Sequence, residues 1–453
     1  MTSSSPLTAE HGGSLPRISE RAVYVPIAFL MIVLLHFQTL PVNIPIQALP
    51  LTTVVALMAF PFVLGKTWKS PLLVAVFLFA GYAFVHSLVA LSIDLFSGYP
   101  DTRFIAWVRQ FVALLAGVIT FYVFRVTLVY LSMDQILRYI VLGSIPGLLF
   151  PLMNVLWGAL GMQWLGSIVT AVRRFMSPEG YLSAFRASGF AVEPAALASI
   201  IVILLLPVLL IYLGWKRNLR STILLLGLSV VVFVWTFSLS GLLLLLVVLS
   251  AGMMLGPLRG RIITLVLVFL AFATLTLVLF PSNQVFRHAR SLAVGQANLS
   301  MNDRLYGVIG PFIRSSDTWT IVGYGLGGVS AHFDEVVPKR VQTEILSSKW
   351  KEYPTISSLL GRTFAETGAV GFMLFLVMSG FVFWELEKLI RNTTNETERL
   401  PYASIRLGLL AVFASLFVTI GPYHTPYFWF WIAVVDAQYM LLLQRRHDTR
   451  QFE

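Results

Sequence analysis

The chain has 453 residues, a mean hydropathy of +0.82, and 57% hydrophobic against 12% charged residues, a balance that excludes a soluble globular enzyme and marks an integral membrane protein. Its formal charge of +11 is carried largely by short turns between apolar runs, where it orients spans and attracts anionic lipid, so it gives no argument for a nucleic-acid partner. Without cysteine, the chain has no disulfide, no thiolate chemistry and no Cys-ligated metal.

Met1 to Arg21 is polar, rich in Ser, Pro and Gly, and carries no cleavable-signal pattern, so it is expected to be a disordered tail before a retained first span. Apolar runs long enough to cross a bilayer then follow near 22–40, 48–65, 71–92, 105–124, 137–160, 193–214, 221–238, 241–257, 262–280, 367–386, 404–421 and 427–444. The expected fold is therefore an all-α polytopic membrane protein of about twelve transmembrane helices. Its expected divisions are a tail (1–21), a bundle of nine helices (22–280), one large external loop between helices 9 and 10 (281–363), three further helices (364–444) and a second tail (445–453). Lys66, Lys69, Arg125, Lys216, Arg217, Arg259, Arg261, Lys388, Arg391, Arg445 and Arg446 fall in one set of turns, while the alternate turns at 41–47, 239–240 and 422–426 carry no Lys or Arg. That asymmetry puts both termini in the cytoplasm and the stretches 161–192 and 281–363 outside. The span interiors read as nearly free of charge, which favours chemistry at the membrane surface over passage through it.

Four external segments could carry that chemistry. Arg186-Ala-Ser-Gly-Phe-Ala-Val-Glu193-Pro194 leads into the sixth span. Pro194 suits a first helical turn and Glu193 the N-terminus before it, so simple capping competes with substrate contact. Asn302-Asp303-Arg304-Leu-Tyr306 is followed by Arg314, and Arg287 and Arg290 precede it. Gly323-Tyr324-Gly325-Leu-Gly327-Gly328 lets backbone N–H groups approach an anion or sugar, with His332 just beyond. Phe364-Ala-Glu366-Thr-Gly368-Ala-Val-Gly371 opens the tenth span, where Glu366 reads as a second helix cap or as a ligand.

In this order and spacing the four segments resemble the O-antigen polymerase and O-antigen ligase family, with motifs over residues 180–375 and the topology over the whole chain. Arg314 followed by Gly325 also matches an Arg-x(10)-Gly spacing of some of these polymerases. Ligases commonly carry a His-Asn pair nine residues ahead of the Glu-x-Gly; here Ser357-Ser358 stand there, which tilts the reading toward a polymerase. The resemblance implies a glycosyltransferase of the bacterial inner membrane, with undecaprenyl-diphosphate-linked glycan as donor and acceptor. It leaves open a chain-length regulator as partner.

Breaking an anomeric C–O bond to a lipid diphosphate builds negative charge on the leaving group. Fixed guanidinium forks stabilise that charge most in the transition state. Arg186, Arg304 and Arg314 are the candidates, with Arg287 and Arg290 behind them. His332, Glu193 and Glu366 are eligible to orient or deprotonate the acceptor hydroxyl. Tyr306, Tyr324 and Gly325 are expected to line the sugar site. No cofactor is expected, and no metal, because permanent cations replace it. The alternatives are a ligase that transfers the glycan to lipid A core and a transporter or flippase for lipid-linked sugars.

Overall fold

A computed structural model describes residues 18–38, 49–66, 69–98, 102–176, 186–191, 193–215, 218–254, scattered positions between 259 and 274, 308–312, 319–336, 356, 358–393, 396–418 and 421–450. The main helices are α1 (Ile18–Leu34), α2 (Leu51–Val63), α3 (Pro71–Phe96), α4 (Thr102–Leu128), α5 (Met133–Leu160) and α6 (Gln163–Met176). They continue with α7 (Pro194–Trp215), α8 (Leu219–Thr236), α9 (Leu239–Met254), α10 (Leu359–Asn392), α11 (Glu396–Val418) and α12 (Pro426–Arg450). Among the described residues eight helices are long and apolar enough to cross a membrane, with α2 and α9 as shorter apolar ones. The chain is an all-α, multi-pass membrane protein.

Local chemistry sets the helix ends. Ser70 caps α3 by accepting from Leu73 N at 3.0 Å, and Pro71 occupies the first turn, where its missing N–H leaves nothing unpaired. Ser132 and Gln135 form a reciprocal capping box on α5, and Gly161 ends that helix at φ 66°. α7 is buried on nearly every face and carries a π-helical stretch at Ile201–Leu205, whose displaced Ile203 carbonyl accepts from Trp431 Nε1 at 3.1 Å. α4 packs against α12, α2, α3 and α1, while α10 packs against α3, α12 and α11.

Four expectations change. The stretch 161–192, read as plain loop, contains α6, whose Arg173 is buried and donates to the Gly189 and Ala191 carbonyls at 2.8 and 2.5 Å. α10 starts at Leu359, inside the residues assigned to the large loop, and so carries Arg362 into the bundle. Arg125 is no turn charge: it lies buried in α4 and is ion-paired with Asp436 of α12. The interior is therefore not charge-poor, because Asp94, Arg103, Arg362, Glu366 and Glu385 are buried as well.

The turn between α11 and α12 also lies deep in the bundle. Gly421, Tyr423, His424 and Thr425 are buried, and a Cβ on Gly117 would approach the Tyr423 carbonyl to 2.6 Å. Gly117 is 14 residues beyond Arg103 on α4, about 21 Å along the axis. Backbone groups at such depth must find partners inside the protein. Tyr423 O accepts from Trp429 Nε1 at 2.6 Å, and Pro422 O accepts from the Thr425 hydroxyl at 2.8 Å.

Candidate functional site

Among the described residues, a densely connected polar cluster forms where the glycine run meets α3, α4 and α10. Three of its glycines have left-handed backbones: Gly323 (φ 85°), Gly325 (φ 75°) and Gly327 (φ 72°). A side chain at Gly327 would drive its Cβ to 2.5 Å from the Ala106 carbonyl of α4. The run thus packs directly on helix backbone, which only glycine permits.

α10 opens to receive it. Gly368 leaves helical geometry at φ 65°, ψ −171°, so the carbonyls of the preceding turn lose their helical partners. The glycine run supplies replacements: Tyr324 N donates to Ala365 O at 2.9 Å and Gly325 N to Glu366 O at 2.8 Å. Tyr82 of α3 donates to Thr367 O at 3.3 Å. Two motifs some forty residues apart therefore complete each other's hydrogen bonding.

Arg103 locks the assembly. Its Nε donates to Asp94 Oδ2 at 2.6 Å, its Nη1 to Leu326 O at 2.9 Å and its Nη2 to Tyr324 O at 3.0 Å. Asp94 sits in the last turn of α3, where the helix dipole disfavours a carboxylate, and the guanidinium offsets that penalty. Glu366 ties the inner side. Its Oε1 accepts from Gly327 N at 3.1 Å and its Oε2 from the Tyr423 hydroxyl at 3.0 Å. One turn earlier, Arg362 donates to Gln110 Oε1 at 3.2 Å and to Ile356 O at 2.9 Å.

His332 faces the outer side. Its Nε2 lies 3.2 Å from Asp94 Oδ1 and its Nδ1 3.2 Å from Glu335 Oε1, with its ring stacked on Tyr324 at 4.5 Å. Tyr324 in turn donates its hydroxyl to Glu335 Oε2 at 3.0 Å. Burial works against charge on His332, but the two carboxylates outweigh it and raise its proton affinity above the ordinary value. With a carboxylate on each ring nitrogen the imidazolium form is favoured. The Glu335 side chain is 51% exposed, so it is the carboxylate through which this buried pair meets the outside.

The structure thus brings together four of the residues singled out in the sequence: Tyr324, Gly325, His332 and Glu366. Glu366 is neither cap nor exposed ligand. Ser358 caps α10 instead, accepting from Gly361 N at 3.2 Å while its own hydroxyl donates to Leu416 O at 2.9 Å. Arg186 stands at the end of α8, donating from Nε to Thr236 O at 3.0 Å and from Nη2 to Phe237 O at 3.4 Å. Glu193 is the N-cap residue of α7 with Pro194 behind it, as the sequence implied, though its side chain makes no capping hydrogen bond. Phe190 of the same motif stacks between Phe37 and Phe150, each at 4.5 Å. Arg287, Arg290, Arg304, Tyr306 and Arg314 lie outside the described residues.

Asp94, Arg103 and Glu335 were missed. Asp94 and Arg103 fell between two expected spans, although opposite charges flanking a short turn are a readable sign of a pair. Glu335 was not singled out in the sequence, although its i, i+3 relation to His332 was an available signal. No family model matches the chain, and no curated protein matches it.

Proposed function

We propose that the chain is a metal-independent membrane glycosyltransferase that polymerises undecaprenyl-diphosphate-linked oligosaccharide repeats, as in O-antigen or a related surface polysaccharide. The reading places it in the bacterial inner membrane with about twelve spans, both termini cytoplasmic and the stretch from 281 to the start of α10 at Leu359 in the periplasm. The observation that carries it is the mutual completion of the two motifs: the glycine run and the Glu366-Thr-Gly368 break form one structure, with His332 and Glu335 at its outer edge.

In this mechanism the acceptor hydroxyl gives its proton to the Glu335 carboxylate, which His332 and Tyr324 orient. The acceptor oxygen bonds to the anomeric carbon as the C–O bond to the lipid diphosphate breaks and the bonding pair leaves with the phosphate. Arg304 and Arg314, with Arg287 and Arg290, neutralise that charge. Arg186, seated on the α8 carbonyls, acts as a positioning residue. The lipid diphosphate glycan is both donor and acceptor, and the bilayer holds its tail.

A second reading, transport of lipid-linked sugars, gains from two features: buried charges inside the bundle and a buried helix break at 421–425. The experiment that separates the readings is the surface polysaccharide of a strain lacking this protein, run on a gel. Polymerase function gives a ladder collapsed to core plus one repeat. Loss of all attached glycan with lipid-linked polymer accumulating means a ligase, and lipid-linked repeats held on the cytoplasmic face mean a flippase; either result overturns the proposal. Within the proposal, Arg304→Lys and Arg314→Lys should each cost about 2–4 kcal/mol of transition-state stabilisation, a rate loss of roughly 30- to 1000-fold, because lysine lacks the planar fork.

A further inference from the structure

The far end of α4 holds a second buried cluster, which the proposed chemistry does not use. Arg125 of α4, Glu385 of α10 and Asp436 of α12 are each 0% exposed. Arg125 is ion-paired with Asp436, and the start of α3 at Ser70 faces the same carboxylate. Glu385 Oε1 accepts from Leu72 N, in the first turn of α3, at 3.3 Å, whereas Oε2 is buried without a hydrogen-bond partner. The other ionisable groups nearby leave the count unchanged. Tyr439 of α12 faces Glu385, and Arg406 of α11 reaches Glu387, two residues further on.

The count does not balance. Among the described residues one permanent guanidinium charge faces two carboxyls, and the partial positive end of α3 supplies only about half a charge more. A carboxylate left unpaired at full burial is among the most costly groups a protein can hold, and it is relieved by taking up a counter-charge. Each carboxyl keeps one oxygen buried without a hydrogen-bond partner, but Asp436 has the guanidinium, whereas Glu385 has one long amide contact.

We propose that the Glu385–Asp436 pair is a binding site for a single proton, carried on Glu385. With it, Arg125 and Asp436 cancel, Glu385 is neutral, and its O–H supplies a donor that the buried site otherwise lacks. The helices that meet here, α3, α4 and α10, also carry Asp94, Arg103 and Glu366 at their other ends, so the two clusters share their supports. The proposal holds whether or not the glycosyltransferase reading does.

The test is infrared difference spectroscopy at pH 7 on the full-length purified chain, wild type minus Glu385→Gln, in sodium chloride and again in choline chloride. The expected result is a C=O stretch of an un-ionised carboxyl in wild type that Glu385→Gln lacks, identical in both salts. Asp436→Asn should also lose that band, because Glu385 then becomes the ionised partner of Arg125. An ionised carboxylate band in the wild-type difference spectrum overturns the proposal. If that carboxylate band appears in sodium but not in choline, the site holds a metal cation; if in both, Glu385 stays charged and unpaired. Thermal unfolding of each variant checks its fold, and the wild-type against Glu385→Gln comparison decides the question even if Asp436→Asn does not assemble.

Discussion

α4 carries a buried arginine near each end, and the two are held in different ways. Arg103 and Arg125 stand 22 residues apart, about 33 Å along the helix, which is close to the thickness of a bilayer's hydrocarbon core. Arg103 divides its fork between one carboxylate and two backbone carbonyls of a distant turn. Arg125 is ion-paired with the Asp436 carboxylate of α12, and the Glu385 carboxyl of α10 lies within reach of its charge. When a charge faces carboxylates, protons can repair its loss. When it satisfies carbonyls, nothing else in the site can. The first end is therefore a mechanical lock with one side open to the outside through Glu335, and the second is a closed electrostatic balance.

The largest expected effect tests that contrast directly. Arg103→Met should cost about 3–5 kcal/mol of stability, because it strands Tyr324 O and Leu326 O and removes the main partner of Asp94. Arg125→Met should cost distinctly less at pH 6, where protons can neutralise both carboxyls it leaves behind. Unfolding of both variants in detergent decides the matter, and equal losses would erase the distinction. Next in size, Gly327→Ala should cost about 1–3 kcal/mol, since it forces a side chain into a left-handed backbone against α4. Gly227→Ala of α8, where a Cβ meets nothing within 4 Å, is the matched control and should be neutral or slightly stabilising. The smallest effect concerns pH. His332 binds its proton more tightly in the folded chain than at its ordinary value of 6.5, so its contribution to stability is complete below that pH and is lost as pH rises through the raised value. Glu335→Gln should shift that loss to lower pH while changing stability by less than about 1 kcal/mol, because the carboxylate is half exposed. A profile identical to wild type would show that Glu335 does not govern the histidine.

Much of the helical frame was legible because a membrane span needs only length and apolarity, and the runs at 71–92, 105–124 and 193–214 each fall within or almost on a helix of the bundle. The ends were not legible. α3 runs to Phe96 and α4 starts at Thr102, and those extra turns carry Asp94 and Arg103. Polar residues there resemble loop residues until a partner far along the chain makes them affordable to bury. The same reasoning explains Arg125, which reads as a turn charge because its counter-ion is 311 residues away. Within the site, Gly325, Tyr324 and His332 were found from local chemistry, since glycine density and a nearby imidazole are visible in a short window. The role of Glu366 was not, because α10 begins earlier than its apolar core suggests and moves that carboxylate from a helix cap to the wall of a turn.

The Arg103 lock also has a consequence in time. Its carbonyl partner Leu326 lies 223 residues further along the chain. At about 5–20 residues per second of synthesis, the guanidinium waits roughly 10–45 s before that partner exists. Asp94, nine residues earlier, is made first and can hold the charge meanwhile. The ion pair thus serves during assembly as a placeholder, keeping the α3–α4 hairpin tolerable in the bilayer until the glycine run arrives to close the site.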